Sequence, residues 1–257
     1  MPDKLYHQID QPEGVPPLAL TGERTLPDVP EENYWYRRHL VVYEWIAERA
    51  WGRRVVDLAC GEGYGTRVLS RTAAAVIGVD ANPEAFEHAR LKYTTDAIRF
   101  DKELIEEWTG DVDCVVFLQT IEHVLDEDIM MKHVRELIGD SGIAFVSTPN
   151  LETLAGPGKE KSENPWHIKE YRYEEFKALC ERHFESVDVF GLFHARKLAL
   201  HALALKLGWD RVHAALKLTG VFYDWFTPAI AASDFQLRHA DEANMDRALD
   251  FVAVLRP

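Results

Sequence analysis

Along residues 54–183, short β-branched runs alternate with stretches whose apolar residues recur at helical spacing. The runs at 54–60, 75–80, 98–101, 113–118 and 143–148 predict strands, and the stretches at 64–72, 83–93, 102–108, 128–138 and 173–183 predict helices. Pro83 falls in the first turn of its helix, where its missing N–H is not needed. Buried-type strands that alternate with helices imply an α/β domain, a parallel sheet covered on both faces. Ahead of the first strand, Tyr36, Leu40, Tyr43 and Ala47 place an amphipathic helix at 34–51, and two more strand-like runs follow at 187–193 and 251–255.

The pattern breaks at two places. Pro2, Pro12, Pro16, Pro17, Pro27 and Pro30 exclude a regular helix from residues 1–33 and predict an arm laid over the fold. About 57 residues separate the last two strand-like runs, opening with Leu198, Leu200, Leu203, Leu205 and Leu207 and continuing through Trp209, Phe222 and Trp225. Helices apolar nearly all round need cover, so this insertion is expected to act as a lid or as a homodimer contact. Charge sharpens that view. Residues 196–217 hold five Lys or Arg against the single acid Asp210, in a chain whose 29 basic and 43 acidic residues give a formal charge of −14. The overall charge repels phosphate backbones and argues against nucleic acid, while the basic insertion suits an acidic acceptor or a membrane surface. Cys60, Cys114 and Cys180 lack C-x-x-C spacing and read as reduced thiols, and no apolar window is long enough to span a membrane, so a soluble, cytoplasmic protein is expected.

Candidate chemistry begins where the first strand runs into Gly61, Gly63 and Gly65, with Asp80 closing the next strand. Glycines at a strand-to-helix turn admit a bulky ligand, and a carboxylate on the neighbouring strand tip can accept both ribose hydroxyl protons, which points to a nucleoside-bearing cofactor. A dinucleotide fingerprint needs glycine where Thr66 stands. At the fourth strand tip, Glu122 and His123 face the expected ligand crevice.

The run Asp57-Leu58-Ala59-Cys60-Gly61-Glu62-Gly63-Tyr64-Gly65 resembles motif I of class I S-adenosylmethionine-dependent methyltransferases. The resemblance implies a Rossmann-like, seven-stranded, mostly parallel sheet with an antiparallel last strand, here as a core of residues 34–197 and 249–257, an arm at 1–33 and a helical lid insertion at 198–248. It implies S-adenosylmethionine as cofactor, met by Asp57, Ala59, Cys60, Gly61, Glu62, Gly63, Gly65, Asp80, Ala81, Glu103, Leu104 and Gln119. The run Gln119-Thr120-Ile121-Glu122-His123 resembles the E-x-x-E-H signature of ubiquinone-pathway O-methyltransferases, with Gln119 in place of the first acid. That implies catalysis by His123 and Glu122, with Mg²⁺ held by the same pair near the acceptor oxygen.

S-T-P-N at residues 147–150, N-P-W-H-I-K-E-Y at 164–171, T-G-E-R-T at 21–25, the run at 32–39 and G-L-F-H at 191–194 resemble methyltransferases of glycan and cell-envelope pathways, among them those of mycobacterial polymethylated polysaccharides. This narrower resemblance implies a saccharide or glycoconjugate hydroxyl as acceptor, with His167, Glu170 and His194 close to it. A quinone, polyketide or other aromatic hydroxyl is the competing acceptor, and a non-catalytic cofactor-binding regulator is the competing class. Arg24, Arg37 and His39 could meet a ligand carboxylate, although such a run at a helix start is ordinarily solvated.

Overall fold

The computed structural model describes residues 5–6, 8, 11–21, 24–156 and 158–257. Residues 1–4 of the arm, with Gly22 and Glu23 of the 21–25 run, lie outside the described residues. The elements are, in order, β1 Leu5–Tyr6, β2 Leu18–Ala19, α1 Asn33–Arg49, β3 Arg54–Leu58, α2 Tyr64–Leu69, β4 Ala75–Val79, α3 Pro83–Tyr93, β5 Ile98–Asp101 and β6 Cys114–Leu118. They continue with α4 Glu127–Ile138, β7 Ile143–Pro149, α5 Leu151–Leu154, α6 Tyr173–Glu181, β8 Ser186–His194, α7 Arg196–Lys206, α8 Trp209–Ala215, α9 Thr219–Phe226, β9 Phe235–His239 and β10 Asp250–Arg256.

Eight strands form the main sheet in the order β5-β4-β3-β6-β7-β10-β8-β9. The first five are parallel, and β10 runs antiparallel between β7 and β8, with Phe251 opposite both Thr148 and Gly191. The expected α/β architecture is therefore present, with one strand more than the seven anticipated. The extra strand, β9, pairs antiparallel with β8. It comes from the end of the insertion, whose Phe235-Gln236-Leu237-Arg238-His239 alternates as an edge strand does and was hidden inside a segment read as helical throughout. The helix expected at 102–108 is also absent. That stretch turns so that Trp108 is buried and its Nε1–H donates to Asp101 Oδ2 at 3.0 Å.

Two apolar layers clamp the sheet. Met130, Val134, Phe176 and Leu179 of α4 and α6 pack on one face, and Ile46, Leu69, Leu198 and Phe226 of α1, α2, α7 and α9 pack on the other. Helix starts are set locally: the Asn82 side chain accepts from the N–H groups of Glu84 and Ala85 at 3.0 Å, and that of Asp126 accepts from Ile129 N–H at 3.0 Å. Outside these layers α7 to α9 leave Leu200, Leu207 and Trp225 in solvent. The arm is held to α3 where His88 Nδ1 meets the Pro16 carbonyl at 2.7 Å.

Candidate active site

At the C-terminal edge of the sheet the chain leaves β3 and β6 in left-handed backbone, with φ +58° at Ala59 and +51° at Gln119. Non-glycine residues held there cost about 1–3 kcal/mol each and persist only where the surroundings impose them. Neighbouring strands impose them here. Cys60 N–H donates to the Val79 carbonyl at 3.0 Å and Gln119 N–H to the Ser147 carbonyl at 3.1 Å. Both turns open onto a cavity of about 410 Å³ bordered on the sheet side by Ala59, Cys60, Gly61, Asp80, Gln119 and His123, and in front by Arg24, Thr25 and His39. A second cavity, of about 290 Å³, shares Arg24, Thr25, His39, Gln119 and His123 with the first and adds Trp35, Glu122, Asn164 and His167.

The three glycines have different duties. Gly61 N–H donates to Asp80 Oδ2 at 2.8 Å and borders the larger cavity, joining the two strand tips. Gly63, at φ +94°, would carry a Cβ 2.9 Å from that of Ala89, and a Cβ on Gly65 would lie 2.2 Å from Tyr43 Cζ. These two border neither cavity and serve helix packing instead. Asp57 lies beneath the turn, where Oδ2 accepts from the Thr66 hydroxyl at 2.7 Å and Oδ1 from that of Tyr43 at 3.2 Å. Burial pushes its carboxyl up to about 7. Glu62 turns its carboxylate into α3, accepting from Tyr93 at 2.9 Å and Lys92 at 2.8 Å, so what it offers the cavity is backbone. Ala81, after β4, and Glu103 and Leu104, after β5, are exposed and border neither cavity.

Glu122 and His123 occupy a single turn of 3-10 helix after β6. Glu122 is 1% exposed and Oε2 accepts from the Thr148 hydroxyl at 3.1 Å, while burial pushes its carboxyl up to about 8. His123 Nδ1 lies 3.0 Å from the Trp166 carbonyl, an acceptor only, so in the neutral ring the proton sits on Nδ1 and the lone pair on Nε2. His167 comes from the loop after α5, and its ring centroid lies 5.0 Å from that of His123. Its Nδ1 meets Glu170 Oε1 at 2.6 Å and Nε2 meets the Asn164 amide at 2.9 Å, while burial lowers its basicity. Glu170 reaches neither cavity. Burial would raise its carboxyl, but hydrogen bonds from Ser162 and His167 outweigh that and hold it below the usual range. His194 also lies away from both cavities: Nε2 meets the Tyr34 hydroxyl at 2.8 Å and the ring packs on Phe235.

Sequence reasoning offered Arg24 and His39 of the front wall for a ligand carboxylate but favoured solvent for them, and it did not single out Arg38. Arg38, inside a run read as solvated, is buried, with Nε 2.7 Å from Asp250 Oδ2, and the pair ties α1 to the start of β10. His39 borders both cavities, and burial holds it down at about 4. Arg24 also borders both, and its buried Nη1 has no hydrogen-bond partner among the described residues. Helical spacing was the available signal: Arg38 stands one and two turns before Val42 and Ile46, both buried, and so shares their stripe of α1.

Comparison with known proteins places this geometry. Residues 34–203 match the family described as methyltransferase domain. A probable S-adenosylmethionine-dependent methyltransferase of Mycolicibacterium smegmatis is 37% identical over 93% of this chain and 96% of its own length. A ubiquinone biosynthesis O-methyltransferase of Pseudomonas aeruginosa is 31% identical over 43% of this chain and 51% of its own. Among solved structures, a methyltransferase of Thermotoga maritima described as a possible histamine N-methyltransferase shares the fold, with TM-score 0.58 and 17% identity over 88% of this chain and 94% of that one.

Proposed function

This chain belongs to the methyltransferase-domain family and is an S-adenosylmethionine-dependent methyltransferase, and we propose that its acceptor is a hydroxyl of a saccharide or glycoconjugate. The cofactor supplies an electrophilic methyl group on a sulfonium. The residues present fit its two polar ends: Asp80, at a strand tip, suits a ribose diol, and the unpartnered Nη1 of Arg24 suits an amino-acid carboxylate. Gln119 stands where the two cavities meet, its Nε2–H donating to Ser147 Oγ at 3.0 Å, so its side chain is positioned before any ligand arrives.

The observation that supports the acceptor reading is the set of hydrogen-bonding side chains around the smaller cavity. Thr25, Glu32, His39, Gln119, Asn164 and His167 border it, with Trp35 and Leu154 among its few apolar walls. A polyhydroxylated acceptor finds donors and acceptors among these side chains, with Trp35 for the face of a sugar ring. The mycobacterial relative aligns with nearly the whole chain, whereas the ubiquinone enzyme aligns with less than half. His123 serves the hydroxyl in either of two ways, by taking its proton on Nε2 or by holding a cation that acidifies it.

The test is methyl-labelled S-adenosylmethionine offered with a panel of mannose and glucose oligosaccharides beside catechols and quinols, with products read by mass spectrometry. Label on a saccharide oxygen is expected. Label confined to the aromatic hydroxyls would replace this reading, and loss of cofactor methyl to neither would sink it.

A further inference from the structure

Glu122, His123 and His167 each bring one possible ligand atom within 4.8 Å of the other two. We propose that they form a site for one first-row transition-metal ion such as Zn²⁺ or Co²⁺, rather than for the Mg²⁺ that the sequence suggested. Mg²⁺ demands near-octahedral oxygen coordination. Gln119, standing where the signature has an acid, brings a neutral amide whose Nε2–H is given to Ser147 Oγ, so the anionic and imidazole donors are one carboxylate and two histidines. That donor set suits borderline metals, and three protein ligands with open positions is the pattern of a catalytic rather than a structural site.

The supporting groups are arranged as metal ligands require. His123 Nδ1–H is committed to the Trp166 carbonyl and His167 Nδ1–H to Glu170, so both rings are left with Nε2 as the coordinating atom. Glu170, expected to touch the acceptor, is instead the positioning residue for His167. The two ligand-bearing segments are also joined backbone to backbone, since Ile168 and Lys169 N–H both donate to the Glu122 carbonyl, at 2.8 and 3.2 Å. Among the described residues no Lys or Arg pairs with the buried Glu122 carboxylate, a burial that a bound cation would offset. Asn164 Nδ2, at 2.9 Å from His167 Nε2, holds the place the ion would take. Cation binding stands on this geometry alone. Its use, acidifying the acceptor hydroxyl so that the proton leaves before the oxygen attacks, rests on the O-methylation reading.

The protein, stripped with a chelator, is titrated calorimetrically with Zn²⁺, Co²⁺ and Mg²⁺, and Co²⁺ loading is followed by its visible absorption. One Zn²⁺ or Co²⁺ per chain is expected, with Mg²⁺ weaker. His123→Gln and His167→Gln should each abolish the Co²⁺ bands, Glu170→Gln should weaken binding about 10- to 100-fold, and Asn164→Ala should not weaken it. Thermal unfolding checks that the variants fold, and the more accessible His123→Gln decides alone if His167→Gln does not. Absence of Zn²⁺ and Co²⁺ uptake, uptake that survives both histidine variants, or Mg²⁺ bound as tightly as Zn²⁺ would overturn the site. None of these readouts involves methyl transfer, so a failed saccharide panel with intact cation binding would remove the acceptor reading alone.

Discussion

The donor side of the site, from Asp57 to Asp80, is one continuous strand-helix-strand unit, with Arg24 and Thr25 shared between the two cavities, whereas the acceptor side gathers residues 35–39, 119–123, 147–149 and 164–167 from across the chain. The donor side is made mostly of backbone: the Gly61 N–H, the strained Ala59, and Asp80, whose Oδ1 and Oδ2 accept from the N–H groups of Asn82 and Gly61. The acceptor side is made of side chains that hold one another, such as His167 with Glu170 and Arg38 with Asp250. A backbone cradle recognises one invariant ligand, while a side-chain wall can be rebuilt for a different acceptor without disturbing the cradle. Damage to the two sides should therefore register in different quantities.

The sharpest break is at Asp80. Asp80→Ala removes a charged acceptor from the ribose side, and each lost charge-assisted hydrogen bond is worth about 1.5–3 kcal/mol before water compensates. Calorimetry with S-adenosylhomocysteine should show affinity down at least about tenfold; unchanged affinity would take Asp80 out of the donor side. On the acceptor side, His123→Ala should lower turnover by about 10²- to 10⁴-fold while S-adenosylhomocysteine binds as before. A fall in cofactor affinity of the same size would erase the distinction between the walls.

Gly65→Ala probes the packing beneath the donor turn. With its Cβ 2.2 Å from Tyr43 Cζ, overpacking should cost about 1–3 kcal/mol in denaturant unfolding. An unchanged midpoint would mean that α1 yields easily and that the turn is not braced from below.

The smallest effects are in pH dependence. Burial holds His39 and His194 at about 4, so the unfolded chain takes up their protons first as pH falls below the ordinary 6.5; their contribution to stability is complete above 6.5 and lost toward pH 4. Asp57 works in the opposite sense. With its carboxyl raised from 3.8 to about 7, the folded state binds the proton more tightly, and stability declines as pH rises between those values. Urea melts from pH 4.5 to 8 should show His194→Gln losing less than the parent on acidification and Asp57→Asn losing less on alkalinisation. Parallel curves for parent and variants would show that neither group titrates differently on folding.

What the chain alone determined was whatever depends on neighbours in sequence. Apolar runs and helical spacing located the five parallel strands, and the glycine turn with Asp80 pointed to a nucleoside cofactor, because a strand-to-helix crossover is a local object whose residues lie within about thirty positions of one another. Tertiary structure decided the rest. A glycine reads the same whether it borders a cavity, as Gly61 does, or meets an aromatic ring, as Gly65 does. β9 exists because the edge of β8 was available to pair, and Arg38 is buried because Asp250, 212 residues away, meets it. His167 joined Glu122 and His123, and Glu170 withdrew behind it, because a loop folded back onto the turn after β6 through backbone hydrogen bonds. Such contacts draw their energy from burial and from pairing between distant segments, and spacing along a single chain does not encode which segments will meet.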